Sequence, residues 1–120
     1  MHTGVLALCE ASGADPADLR AWLGPCIGPQ AFEVGADVLA GFGVAPVDGV
    51  AAPRFTPRPD QPGKWLADLP GLARDRLMTM GVRDISGGQW CTVSAPGRFF
   101  SHRRDGRSGR QAAAICLNPV

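Results

Sequence analysis

No stretch of about 18 apolar residues occurs in the chain, so nothing in it reads as a helix that crosses a bilayer. Net charge is nearly absent too: twelve basic against eleven acidic side chains leave +1 at pH 7. A general nucleic-acid binder carries a basic surplus, and none is present, so no nucleic-acid partner is expected. Histidine is scarce. His2 and His102 stand a hundred residues apart, and Cys9, Cys26, Cys91 and Cys116 are scattered with no CxxC pair. A structural zinc site needs four Cys or His ligands at recognisable spacing and a catalytic one needs three, so no metal ligand can be assigned within the chain. No glycine loop of Walker or Rossmann type is present, and there is no internal repeat. The opening MHTGVLALCEASGADP lacks the basic start and long apolar run of a secretory leader. Reduced thiols, a cytoplasmic location and no membrane partner are therefore the expectations.

What is present is enough for a packed core. Hydrophobic residues make up 45% and charged residues 19% of 120, a globular composition of one-domain length. Thr3–Ser12 reads as a helix without an N-terminal cap, closed by Gly13. Asp15-Pro16-Ala17-Asp18 is a capped helical turn, with Pro16 suited to the first position. Leu19–Leu23 reads as a short buried strand, and Gly24–Pro29 as a stiff loop in which two Gly-Pro steps bracket Cys26. Phe32–Phe42 is expected to be helical, and the proline-rich Gly43–Gly63 an irregular crossing segment. Asp68–Met80 is the clearest helix: Asp68 stands near its start, Leu69, Leu72, Ala73, Leu77 and Met80 share a side, and Gly81 stops it. Val82–Ser86 and Trp90–Ser94 read as strands about a Gly87-Gly88 turn. Arg98–His102 is expected extended, Asp105-Gly106 a turn, and Gln111–Leu117 a final buried strand. Helices and strands alternate, so the expected class is α/β: a layered mixed sheet with flanking helices.

Three features invite chemistry. Cys26 sits in a rigid loop at a strand end, where sites are often built. As a nucleophile it needs a base or a positive field; otherwise it is a small thiol packed under the loop. His102, beside Phe100, could meet a substrate or merely fill a half-buried position. The segment FFSHRRDGRSGR, Phe99–Arg110, concentrates Arg103, Arg104, Arg107 and Arg110, with Arg98 just ahead, around a single acid, Asp105. These guanidinium groups either face solvent in weak surface pairs or bind phosphate or carboxylate beside an aromatic face.

Taken in order, AWLGPCIGPQAFEVG (Ala21–Gly35), KWLADLPGLARDRLMTMGV (Lys64–Val82), Cys91-Thr92 and FFSHRRDGRSGR resemble the C-terminal half of the YfiH-like family. Its members are laccase-domain proteins, polyphenol oxidases, purine nucleoside phosphorylases and peptidoglycan editing factors. The resemblance runs from about Gly4 to Leu117. It implies a YfiH-like α/β fold, here truncated at its N-terminus, so that residues 1–120 form a single partial domain. It implies action on purine nucleosides: phosphorolysis with phosphate, deamination of adenosine, and in an older assignment copper-dependent oxidation of phenols. The substrate-facing residues so implied are Cys26, Phe100, His102, Arg103 and Arg104, with His102 standing where many relatives carry tyrosine. Zinc or copper is implied for the family, but its ligand motifs, the last a His-Ala-Gly-Trp-Arg-Gly segment, precede this region. No catalytic residue is assigned, and the chain alone is expected to be inactive. Self-association, or pairing with a missing N-terminal half, is the expected partnership. The alternatives are a non-catalytic dimeric interaction module and a thiol enzyme that uses Cys26 with His102.

Overall fold

A tryptophan and a phenylalanine from neighbouring strands set the centre of the fold. A computed structural model describes residues 1–112. In chain order the elements are α1 (His2–Ser12), a 3-10 turn (Pro16–Asp18), β1 (Arg20–Leu23), β2 (Glu33–Gly35) and α2 (Ala36–Gly41). They continue with β3 (Phe55–Pro57), β4 (Lys64–Ala67), α3 (Leu69–Thr79), β5 (Asp84–Gly87) and α4 (His102–Asp105). The class is α/β, as the sequence implies, with the strands in two small sheets. One is antiparallel in the order β2-β4-β3; the other pairs β1 with β5 in parallel.

The antiparallel sheet carries the core. Side chains alternate across a strand, so β4 sends Trp65 and Ala67 inward. Register sets Val34 opposite Trp65 and Phe55 opposite Ala67. With Leu39 of α2 these residues form one buried cluster, and the Trp65 indole N–H is satisfied by the Val50 carbonyl at 3.2 Å. Helix α3 starts where Asp68 accepts the Gly71 N–H at 3.0 Å, and Leu77 anchors its inner side. Arg54, at a positive φ of 68°, ties β3 to that helix by gripping Asp75 with two nitrogens (2.8 and 2.9 Å) and Asp68 with a third contact at 3.2 Å. That grip holds the Asp75 carboxyl below the usual carboxylate range.

The parallel pair positions the site. Arg20 faces Asp84 and Leu23 faces Gly87. The pairing resumes as a single bridge between Cys26 and Cys91, three residues on in one strand and four in the other. One extra residue, as in a bulge, therefore separates the pair from the regular ladder. The loop Gly24–Pro29 is thus pinned beside Cys91.

Several local expectations give way here. Residues 19–23 do form a strand from Arg20, but it is a half-exposed edge with Trp22 59% accessible. The Phe32–Phe42 helix shrinks to Ala36–Gly41 because Glu33–Gly35 pairs with β4 instead. Residues 43–63 are largely irregular as expected, yet include β3, and β4 follows directly with no anticipation in the sequence reading. Gly87-Gly88 does not join a hairpin: β5 pairs with the distant β1, and Trp90–Ser94 is a turn in which only Cys91 bridges. Residues 98–102 are not a strand, because Ser101 caps a helical turn, its Oγ accepting the Arg104 N–H at 3.2 Å. The expected strand Gln111–Leu117 lies, from residue 113 on, outside the described residues. No described helix is long and apolar enough to cross a membrane.

Candidate functional site

A cleft of about 630 Å³ opens between the Pro25–Ile27 loop, the turn at Thr92 and the segment that carries α4. Cys26, Phe100, His102 and Arg103 all line it, although 73 or more positions of sequence separate the first from the other three. Two devices bring them together. The β1–β5 pair delivers Cys26 alongside Cys91, and Thr92 N–H donates to the Cys26 carbonyl at 2.9 Å. From the far wall, the Gln111 amide donates to the Pro25 carbonyl at 3.0 Å and closes that side of the cleft.

Phe100 is 59% exposed, a large apolar face left open to the cleft. Gly109 lies against its ring so closely that a Cβ there would meet ring carbons at 2.8 Å, so a larger residue would push the ring from its place. Arg103 stands on the exposed side of α4. One of its nitrogens donates to the Glu33 carbonyl at 2.9 Å, and its guanidinium carbon sits 5.4 Å from the Phe32 ring centroid. Both contacts engage the guanidinium itself and leave its other N–H groups for a ligand. Arg110 joins it on the cleft wall.

Arg104 is used differently. It donates to the Thr92, Val93 and Phe99 carbonyls at 3.0, 3.3 and 3.1 Å, and grips Asp105 at 2.8 and 2.9 Å. Its five donors are largely committed to protein, so it stitches the turn at Thr92 to α4 and lies outside the cleft lining. Arg98 stacks on Phe99, 5.8 Å from its centroid. The arginine cluster is therefore divided: two cations face the cleft, and Arg104 builds its wall.

The thiols diverge as well. Burial pushes Cys26 up, Cys91 and Asp68 add to the rise, and Arg74 opposes it. No hydrogen bond joins Cys26 to His102 among the described residues, so His102 does not draw the Cys26 proton away. Cys91, which sequence reasoning did not weigh, sits in the contrasting environment. Burial would raise it, but the Ser94 hydroxyl (3.3 Å) and the N–H groups of Gly28 (3.2 Å), Ser94 and Val93 outweigh that and bring it below the ordinary thiol value. Its sequence signal was Cys91-Thr92-Val93-Ser94, a thiol followed by a turn able to aim hydrogen-bond donors back at it.

A metal centre finds no such fit. Among the described residues no three His, Cys, Asp or Glu side chains stand together as a ligand set. His2 lies on α1 in a different cleft from Cys26 and His102. The described residues alone therefore do not match a zinc or copper site.

The chain is similar to known proteins along nearly all its length. The model of a family described as multi-copper polyphenol oxidoreductase laccase matches residues 1–118. A Xylella fastidiosa purine nucleoside phosphorylase is 54% identical over 99 residues, covering 81% of this chain and 36% of the relative. The Escherichia coli purine nucleoside phosphorylase YfiH is 46% identical over 115 residues, covering 95% of this chain and 45% of the relative. Among solved structures, a Neisseria meningitidis protein superposes with a TM-score of 0.67 at 39% identity, over 85% of this chain and 40% of that one. A Bacillus licheniformis protein named YfiH gives 0.73 at 28% identity, over 87% and 39%. The chain thus spans half or less of the length of the proteins it matches.

Proposed function

We propose, from the premise that this chain belongs to the multi-copper polyphenol oxidoreductase laccase family, that it supplies the C-terminal, substrate-facing part of a purine nucleoside phosphorylase. One observation carries the reading: a single cleft gathers an open aromatic face, a histidine and two arginines. In phosphorolysis a phosphate oxygen bonds to the anomeric carbon of the ribose, the glycosidic C–N bond breaks, and the purine leaves with a proton. Cations placed where phosphate approaches offset its charge as that happens. Arg103 and Arg110 take that part, Phe100 offers a face on which the purine stacks, and His102 lies within the same opening for a ribose or base hydrogen bond. Cys26 lines the floor, and Arg104 positions the wall. Adenosine deamination and phenol oxidation are the other activities of the reading. Zinc or copper would be held by residues outside this chain, so the chain by itself is inactive. The proposal includes a cytoplasmic location and a partial domain over residues 1–120.

A second reading rests on α1, which buries no residue and leaves Leu6 and Leu8 about half exposed on the same molecule as the open Trp22. Apolar surface of this kind favours self-association, so the chain would act as a dimeric module. Calorimetric titration of adenosine and of inorganic phosphate into the chain tests the first reading. Phosphate binding that weakens about tenfold in Arg103→Ala, the loss of roughly one charge-assisted hydrogen bond, supports it. A sedimenting dimer that binds neither ligand supports the second.

A further inference from the structure

Cys26 and Cys91 are paired in parallel register, each half-buried and each unbonded to any other sulfur. Residues paired across neighbouring strands share a face and stand about 4.8 Å apart. That spacing falls inside the window of about 4.4–6.8 Å between Cα atoms that a disulfide requires. We propose that Cys26 and Cys91 form a reversible disulfide, a modification site that closes the thiol floor of the cleft when the protein meets a disulfide oxidant such as oxidised glutathione. The inference rests on this pair alone and holds whichever ligand the cleft takes.

The surroundings give the two thiols different tasks. The Cys91 sulfur accepts from Gly28 N–H and the Ser94 hydroxyl, donors that favour its thiolate, so Cys91 attacks. Its sulfur bonds to one sulfur of oxidised glutathione, the glutathione S–S bond breaks, and one glutathione thiolate leaves. The Cys26 sulfur, released of its proton to water, then bonds to the Cys91 sulfur and expels the second glutathione. In sum two S–H bonds are exchanged for one S–S bond, and oxidised glutathione is reduced to two thiols. Gly28 is a tight neighbour: a Cβ there would stand 3.0 Å from the Cys91 Cβ and 3.2 Å from its sulfur, so a larger residue would crowd this sulfur. Because Cys26 lines the cleft, the bridge also removes a free thiol from the ligand surface.

Trypsin separates the four cysteines into distinct peptides, 1–20, 21–54, 84–98 and 111–120, so the test is direct. The folded chain is incubated with oxidised glutathione, residual thiols are blocked, and the digest is analysed by mass spectrometry without reduction. The expected result is a peptide 21–54 joined to 84–98, with the free-thiol count falling from four to two and recovering with dithiothreitol. Two variants separate the roles. Cys26→Ala retains glutathione on Cys91, because the resolving sulfur is gone, whereas Cys91→Ala leaves Cys26 unmodified. All four thiols remaining free, a bridge to Cys9 or Cys116 instead, or glutathione accumulating on Cys26 in Cys91→Ala would each overturn the proposal.

Discussion

Replacing Gly87 by alanine tests how the loop bearing Cys26 is held. Gly87 ends β5 opposite Leu23, at a φ of 82°, a left-handed conformation that costs an L-residue about 1 kcal/mol or more. A Cβ there would stand 3.0 Å from both the Leu23 nitrogen and Trp22 Cδ1, and closer still to the Leu23 carbonyl oxygen. Backbone atoms cannot swing aside as a side-chain tip does, so overpacking adds about 1–3 kcal/mol. The sum, about 2–4 kcal/mol, is a large share of the stability of a domain this size. It falls on the ladder, where Gly88 N–H donates to the Leu23 carbonyl at 2.8 Å and Arg74 donates to the Gly87 carbonyl. Urea unfolding followed by tryptophan fluorescence reads this, with Trp22 and Trp90, centroids 6.2 Å apart, beside the junction and Trp65 in the core. The midpoint should fall by about 1–2 M at unchanged slope. Gly97→Ala is the control: nothing lies within 4 Å of its Cβ position and its φ is ordinary, so it should be neutral. A Gly87→Ala midpoint equal to that of Gly97→Ala would refute the parallel β1–β5 register.

Arg103→Ala should weaken phosphate binding about tenfold and lower the unfolding midpoint only slightly, since it loses one carbonyl contact and the Phe32 stack while its other donors face the cleft. Arg104→Ala should do the reverse and lower the midpoint, because three carbonyls lose their donor; paired titration and unfolding curves distinguish the two. Alkylation of Cys91 by iodoacetamide should have its midpoint pH below that of a free cysteine and that of Cys26 above it, since thiolate is the reactive form and the two shifts have opposite sign. Peptide-resolved mass spectrometry over a pH series checks this, and a Cys26 that reacts at lower pH than Cys91 contradicts it. Gly4→Ala, in the first turn of α1 with open space around it, should stabilise the helix by about 0.5 kcal/mol, less than at an interior position, seen as higher helix content by circular dichroism.

Where local chemistry decides structure, the sequence shows it. Asp68 before Leu69-Pro70 and Gly81 after Met80 bound α3, and Asp15 with Asp18 makes a reciprocal cap around Pro16. Where pairing with a remote strand decides, it does not. Lys64–Ala67 is only four residues long and becomes central because Glu33–Gly35 and Phe55–Pro57 close on both of its edges. The same partner takes Glu33–Gly35 from an otherwise plausible helix. Trp90–Ser94 has strand-forming residues, yet donors turning back to the Cys91 sulfur make it a turn. Much of the cleft was legible. Cys26, Phe100, His102 and Arg103 were implied by resemblance and share one opening. The division between Arg103 and Arg104 was not, because adjacent residues of one helical turn point in different directions and only the fold says which way is inward.

The measurement closest to the central claim is adenine release from adenosine in phosphate buffer, with and without zinc. It is made on this chain alone and on the chain co-expressed with the N-terminal half of a relative such as the Escherichia coli protein. A chain that supplies the substrate surface without the metal centre is inactive alone, gains phosphate-dependent release with the second half, and loses it again in Arg103→Ala. Clear turnover by the chain alone, or restored activity indifferent to Arg103→Ala, would contradict the account.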